Sequence, residues 1–175
     1  MKKFFRKELY ELHAYTPGEQ PNPEDKIIKL NTNENPYPPS PKIKKEVNRI
    51  IKNHLLRRYP NPVSKDLRKE IANHHNIKES QVIVTNGSDE GLSLLFKALL
   101  GERDTVVIPY PTYSLYPVLT SIQMNGSVTK NIPLKNDLHF DFEKLKKSKG
   151  KLLAFAHPNA PTGIMEEREK LLDLV

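Results

Sequence analysis

The chain has 175 residues, 37% of them hydrophobic, and carries 28 basic against 21 acidic side chains for a net charge of +7, which is one-domain length with material for a modest core. Cysteine is absent, which excludes a disulfide framework, a thiolate metal centre and a cysteine nucleophile, and fits a reducing compartment. The lysines are spread along the polar faces of candidate helices, with no zinc-finger spacing or RNP-type aromatic motif beside them, so nucleic acid is not the expected partner, whereas a positive field suits a phosphorylated small substrate.

The basic N-terminus, MKKFFRKELYELHAY, lacks the apolar run of a signal peptide, and no stretch is long enough to cross a bilayer. The expectation is a soluble, cytoplasmic protein with no membrane partner. Residues 1–40 read as an arm and loop. They hold a short amphipathic piece over Phe4–Leu12, a Pro/Gly-rich stretch, and then Asn31–Pro41 with four prolines and three asparagines. That last segment could be a polyproline ligand, but an extended loop closing on a helix start is the simpler reading. Ser40-Pro41 supplies the cap and the first helical residue, and Ile43, Val47, Ile50 and Ile51 follow at helical spacing. Ser64 can cap a second helix, in which Leu67 and Ile71 face inward. His74 and His75 are adjacent, so on a helix they point about 100° apart and share no metal.

Gln81–Thr85 is a short β-rich run with Val82, Ile83 and Val84 consecutive, the pattern of a strand buried on both faces. It ends at Asn86-Gly87. Leu92, Leu95, Phe96 and Leu99 then mark one stripe of a helix, with Ser88 fitting the N-cap and Gly101 the stop. A strand–glycine–helix junction aims unpaired N–H groups and the positive end of the helix dipole at one point, which suits an anion. It is also the form of a plain βα turn. Asp89 and Glu90 in the first turn offset the dipole and repel an anion unless they point away.

Thr105–Ile108 is the next buried strand and closes a βαβ unit. Tyr110, Tyr113 and Tyr116 cluster past its carboxyl end, where parallel sheets place ligands and where one tyrosine could stack on a planar ring. A helix over Ser114–Asn125, a strand over Ser127–Ile132, a surface helix over Asp141–Lys147 and a buried strand over Lys151–Ala156 follow. The last strand runs into the turn-forming cluster His157–Gly163, and Glu166–Val175 begins a helix with Leu171 and Leu172 on one face. The fold class is therefore α/β, a mostly parallel sheet with flanking helices preceded by an N-terminal arm and two helices. Neither G-x-G-x-x-G nor the P-loop pattern is present, so an anion site here serves neither a dinucleotide nor a nucleoside triphosphate.

Six segments occur in one order: Tyr15–Gly18, Leu30–Pro36, Arg58–Pro60, Asn86–Glu90, Pro111–Tyr113 and Pro158–Gly163. Together they resemble the N-terminal half of the fold-type-I pyridoxal-phosphate aminotransferases, and N-E-N-P with G-S-D-E is most similar to the histidinol-phosphate branch. The resemblance makes 41–76 a helical segment of the small domain and 77–175 the first part of the cofactor-binding large domain. It implies that the backbone at Gly87, Ser88 and Asp89 holds the phosphate of pyridoxal 5′-phosphate, that Tyr113 stacks on the ring, and that Asn159 lies in the loop approaching the ring's phenolic oxygen. The commoner family pattern is P-N-N-P-T-G. Here the second asparagine, the usual donor to that oxygen, is Ala160, and whether Asn159 or a water takes its place stays open. The resemblance further implies a homodimer in which Tyr59 reaches the partner's cofactor phosphate, while Tyr15 and Asn33 help to close the partner's substrate site.

The implied activity is amino transfer between histidinol phosphate, a small phosphorylated amine, and 2-oxoglutarate in histidine biosynthesis. The lysine that forms the Schiff base belongs to later segments of the family, so the chain is expected to be a truncated form that does not transaminate alone. An aromatic aminotransferase or an amino-acid-phosphate decarboxylase of the same fold is the first alternative. The second is a non-catalytic α/β remnant that binds phosphate or a partner.

Overall fold

The computed structural model of the chain describes residues 4, 10, 12, 18–22, 24, 26–122 and 126–174. It divides into two compact units, Thr16–Val84, and Thr85–Val175 together with Met1–Tyr15. Apart from Phe4, Tyr10 and Leu12, the amphipathic piece expected over Phe4–Leu12 lies outside the described residues, and so does Tyr15.

In the unit Thr16–Val84, helix α1 (Pro41–Lys52) starts as its caps predict: Ser40 Oγ accepts the Lys42 N–H at 3.4 Å and Pro41 fills the first turn. Helix α2 (Lys65–His75) is capped differently. Ser64 takes a left-handed conformation with φ 47° and makes no side-chain cap bond. Asn61 does the work from further back, its Oδ1 accepting the N–H groups of Val63 at 3.0 Å and Lys65 at 3.3 Å, because an asparagine side chain reaches two residues ahead to close an Asx turn. Ala72, not Leu67, is the buried residue of this helix.

The strand expected over Gln81–Thr85 is absent. Gln81 ends a short 3₁₀ turn, Val82–Thr85 follow without regular structure, and Ile83 is 72% exposed. An apolar run becomes a central strand only where ladders form on both sides of it, and no described residue pairs with this one.

The second unit is built on β1 (Thr105–Tyr110), which pairs in parallel with β2 (Val128–Pro133) on one side and β3 (Leu152–Leu153) on the other, giving the order β2-β1-β3. The register sets Thr105 opposite Val128 and Val106 opposite Leu152. Bonds from Lys151 N to Thr105 O at 2.9 Å and from Ala154 N to Val107 O at 3.0 Å continue the β3 ladder. Side chains alternate across a strand, so β1 serves two cores. Val106 and Ile108 pack with Phe96 of helix α3 (Ser88–Leu99) and with Leu115, Tyr116 and Leu119 of helix α4 (Leu115–Ile122). Val107 packs with Ile132, Phe140 and Leu145, the last on helix α5 (Phe142–Lys147), and Leu171 of helix α6 (Arg168–Leu172) joins this side. Leu172, expected beside Leu171, is exposed. Asp141 caps α5 through a 3.1 Å bond from Lys144 N to its Oδ1.

The crossover β1–α4–β2 lies on one face, and β2–α5–β3 returns past β1 on the other. This is the arrangement that same-handed crossovers produce when the direction of travel along the sheet reverses. Chain from β1 leads to one face and chain from β3 to the other, so their loops part at the carboxyl end of the sheet, the point at which such sheets form a ligand crevice. Among the described residues no helix is long and apolar enough to cross a membrane.

Two outcomes test this packing. A Cβ on Gly150 would lie 2.6 Å from Val107 Cγ2 and 3.0 Å from the Thr105 carbonyl oxygen, so Gly150→Ala should lower stability in urea by about 1–3 kcal/mol, as overpacking does. Asp104 accepts from Lys151 Nζ at 2.8 Å and from Gly101 N at 2.6 Å, and these bonds, the lysine's first, hold its carboxyl below the usual range. A lowered folded value stabilises the fold above the ordinary aspartate value of about 3.9, and the gain is lost as pH falls through the lowered one. Thermal melts of Asp104→Asn should therefore show a lower melting temperature at neutral pH and a shallower acid limb, the two proteins converging as pH falls through the lowered value.

Candidate functional site

The start of α3 is set by Gly87, which is the N-cap in place of the expected Ser88 and has φ 84° and ψ 171°. The chain turns there from an extended run onto the helix axis, and a positive φ is open to glycine without strain. The turn is tightened by bonds from Gly87 N to Thr85 O at 2.9 Å and from Thr85 Oγ1 to Gly87 O at 2.8 Å. The backbone N–H groups of Ser88, Asp89 and Glu90 meet no acceptor among the described residues, as the first turn of any helix leaves them. A Cβ on Gly87 would have nothing within 4 Å, and Ser88, Asp89 and Glu90 are all exposed.

The two acidic residues of this turn are held by partners. The Glu90 carboxylate folds back to accept the Asn86 N–H, and Asp89 Oδ1 accepts the Tyr113 hydroxyl at 3.0 Å. Tyr113 comes from the loop after β1, so this bond ties the crevice to the helix start across 24 residues. Its ring meets Tyr116 edge-on, centroids 5.6 Å apart, and Tyr116 lies parallel to Phe96 at 6.3 Å. Tyr116 is a core residue, and burial pushes its phenol up; Tyr110 is exposed. Of the three tyrosines, Tyr113 is the one brought to the helix start.

From the other side of the crevice comes Asn159, 1% exposed. Its Oδ1 accepts from Thr112 Oγ1 at 2.8 Å, and its Nδ2 donates to Pro111 O at 3.1 Å and to Thr162 Oγ1 at 3.2 Å. The loop is closed on itself by Asn159 N to Ile164 O at 2.8 Å and Gly163 N to Asn159 O at 2.6 Å. Glu166 N then donates to His157 Nε2 at 3.0 Å, so His157 has a structural task in the loop. Glu166, only 6% exposed, accepts from Phe140 N at 2.7 Å and faces His139 Nδ1 at 3.1 Å.

Thus Gly87, Ser88, Asp89, Tyr113 and Asn159 all belong to one unit, with Tyr113 joined to Asp89 and Asn159 to its neighbour Thr112. Tyr59 and Asn33 belong to the other unit, where both are exposed and Asn33 has φ 52°. Thr112 and Glu166 were not anticipated. Thr112 stood inside a quoted motif without a role, and nothing local marks Glu166, whose partners lie 26 and 27 residues away. Among the described residues no group of three or more His, Asp or Glu could hold a metal. A cavity of about 500 Å³ lies elsewhere, lined by residues such as Lys135, His139, Lys146 and Glu166. Its charges are largely paired, as in Lys146–Asp173 at 2.9 Å and Lys170–Glu167 at 2.8 Å.

Comparison with known proteins follows the same lines. The family model described as aminotransferase class I and II matches residues 25–175. The chain is 43% identical over 164 residues to a histidinol-phosphate aminotransferase of Acinetobacter baumannii, covering 93% of this chain and 44% of that protein. Among solved structures, a tetra mutant of the aspartate aminotransferase of Thermus thermophilus superposes with a TM-score of 0.77 at 20% identity, over 97% of this chain and 46% of the other. The histidinol-phosphate aminotransferase of Sinorhizobium meliloti, solved in complex with pyridoxal-5′-phosphate, does so with 0.67 at 18% identity, over 78% and 37%. The chain therefore spans less than half the length of each.

Asp89 is the acidic side chain bonded across the crevice, and replacing it separates two effects. Asp89→Asn should weaken the helix start by about 0.3–1 kcal/mol in a thermal melt, through loss of a favourable charge at the dipole's positive end. The same change should tighten binding of inorganic phosphate, measured by calorimetry, because one repelling charge is gone.

Proposed function

The chain belongs to the class I and II aminotransferase family, and on that footing we propose that the start of α3 holds the phosphate of pyridoxal 5′-phosphate and that the enzyme these residues form part of moves an amino group between histidinol phosphate and 2-oxoglutarate. The observation that carries this reading is the set of N–H groups at Ser88–Glu90, just after Gly87, unpaired among the described residues and with Tyr113 bonded beside them. When bound, the cofactor supplies an electron sink for amino transfer.

The residues present fit such a group. Three backbone donors stand unpaired among the described residues at an exposed helix N-terminus, the arrangement that receives phosphate elsewhere. The carboxylates that would oppose an anion are engaged with Tyr113 and with the Asn86 N–H. Tyr113 lies half-buried, its ring braced edge-on by Tyr116, so that its hydroxyl end reaches the helix start and its ring flanks the crevice. Histidinol phosphate as substrate is supported by the identity to the Acinetobacter enzyme. The same reading makes the enzyme a cytoplasmic homodimer. Tyr59, which is fully exposed, then reaches the partner's cofactor phosphate, and Tyr15 and Asn33 close the partner's substrate site.

Two measurements test the proposal. Titrating the chain with pyridoxal 5′-phosphate should show saturable binding that inorganic phosphate displaces. Gly87→Val should abolish it while the variant stays folded, since a β-branched side chain is strained at positive φ by about 1–3 kcal/mol and fills the approach to the donors. Unchanged affinity in the folded variant overturns the placement. For the substrate, the product of the complete reading frame should transfer the amino group of histidinol phosphate to 2-oxoglutarate; activity on phenylalanine with none on histidinol phosphate refutes that choice.

A further inference from the structure

The bond between Thr112 and Asn159 joins the loops of two neighbouring strands across 47 residues, and both side chains are buried. An asparagine amide has two hydrogens to donate. In Asn159 both are used, on Pro111 O at 3.1 Å and on Thr162 Oγ1 at 3.2 Å, while Oδ1 takes the Thr112 hydroxyl at 2.8 Å. No hydrogen is left for a ligand, and Ala160 has none on its side chain to offer. Two of the partners, Pro111 and Thr112, immediately precede Tyr113, whose hydroxyl bonds Asp89 at the start of α3.

From this geometry we infer that Thr112 and Asn159 are positioning residues, a buried clasp that sets where Tyr113 stands against the α3 N-terminus, and that Asn159 acts on a bound pyridine ring through Tyr113 without donating to the ring's phenolic oxygen. The inference rests on the cofactor reading above for its ligand, but the clasp itself is a property of the free chain. If Thr112 loses its hydroxyl, Asn159 Oδ1 is buried without its donor, which is costly enough to shift the loop. Tyr113 is one peptide bond away and shifts with it.

The experiment has a ligand-free arm and a ligand arm. In the free chain, ring resonances of labelled tyrosines are recorded, with Tyr113 identified by its loss in Tyr113→Phe. Thr112→Val should move the Tyr113 signal, Thr112→Ser should restore it, and Asn159→Ala should move it as Thr112→Val does. A Tyr113 signal indifferent to Thr112→Val in a protein that still melts cooperatively overturns the clasp. In the second arm, binding of pyridoxal 5′-phosphate is compared with binding of its 3-deoxy analogue, which lacks the phenolic oxygen. Asn159→Ala and Thr112→Val should each weaken both ligands by the same factor, roughly tenfold, or about 1.4 kcal/mol, with Thr112→Ser close to the unaltered chain. If Asn159→Ala weakens only pyridoxal 5′-phosphate and spares the analogue, Asn159 is a direct donor and the inference is wrong. If the unaltered chain binds neither ligand, the cofactor reading falls, while the tyrosine signals still decide for or against the clasp.

Discussion

Two-sided burial of β1 is the constraint on which the second unit depends. A strand whose successive side chains enter two different cores must be flanked by strands on both edges and by helices on both faces. Val106 and Ile108 commit one face to α3 and α4, and Val107 commits the other to α5 and α6. Once β2 and β3 lie on opposite sides of β1, their connections must pass on opposite faces, and the loops leaving β1 and β3 part company above the sheet. The crevice is a consequence of the topology, and the buried side chains of Thr112 and Asn159 join its walls.

At its edge the chain faces an electrostatic conflict. A helix start favours negative charge, and α3 carries two carboxylates in its first turn beside donors that also suit a phosphate. Each carboxylate is given a partner. Glu90 caps the preceding N–H of Asn86, and Asp89 receives the Tyr113 hydroxyl, so the acids serve the turn and the loop while the N–H groups of Ser88 and Asp89 stay unpaired among the described residues. The same bond that settles Asp89 brings an aromatic ring to the crevice. Positioning of the ring and accommodation of an anion are in this way parts of one arrangement.

What could be read from the sequence was what nearby residues decide. The continuous apolar run at Thr105–Ile108 and the Ser40-Pro41 helix start depend on periodicity and capping within a few residues, and they stand as expected. The α3 stripe holds only in Phe96 and Leu92, with Leu95 and Leu99 exposed. The bond between Tyr113 and Asp89 joins two segments that the resemblance assigned to one site. Errors arose where distant partners decide. Val82–Val84 has a strand's composition, but a strand is defined by its ladder and this run has none among the described residues. Ser64 lost the cap to Asn61 because an Asx turn offered a better acceptor. Of the three tyrosines clustered past β1, spacing did not tell which one packs inward, and it is Tyr116 that lies against Phe96. Thr112 and Glu166 could not be found by spacing, since their partners lie far along the chain.

The account's central claim is that an anionic cofactor docks on the backbone of α3's first turn within reach of Tyr113. Backbone amide shifts followed while pyridoxal 5′-phosphate is added to the isotope-labelled chain test this most directly. The amides of Ser88 and Asp89 should move furthest, with Tyr113 and Thr112 next and the residues around Lys135 and Lys146 still. Perturbation centred on those surface lysines, with Ser88 and Asp89 unmoved at saturation, would contradict it.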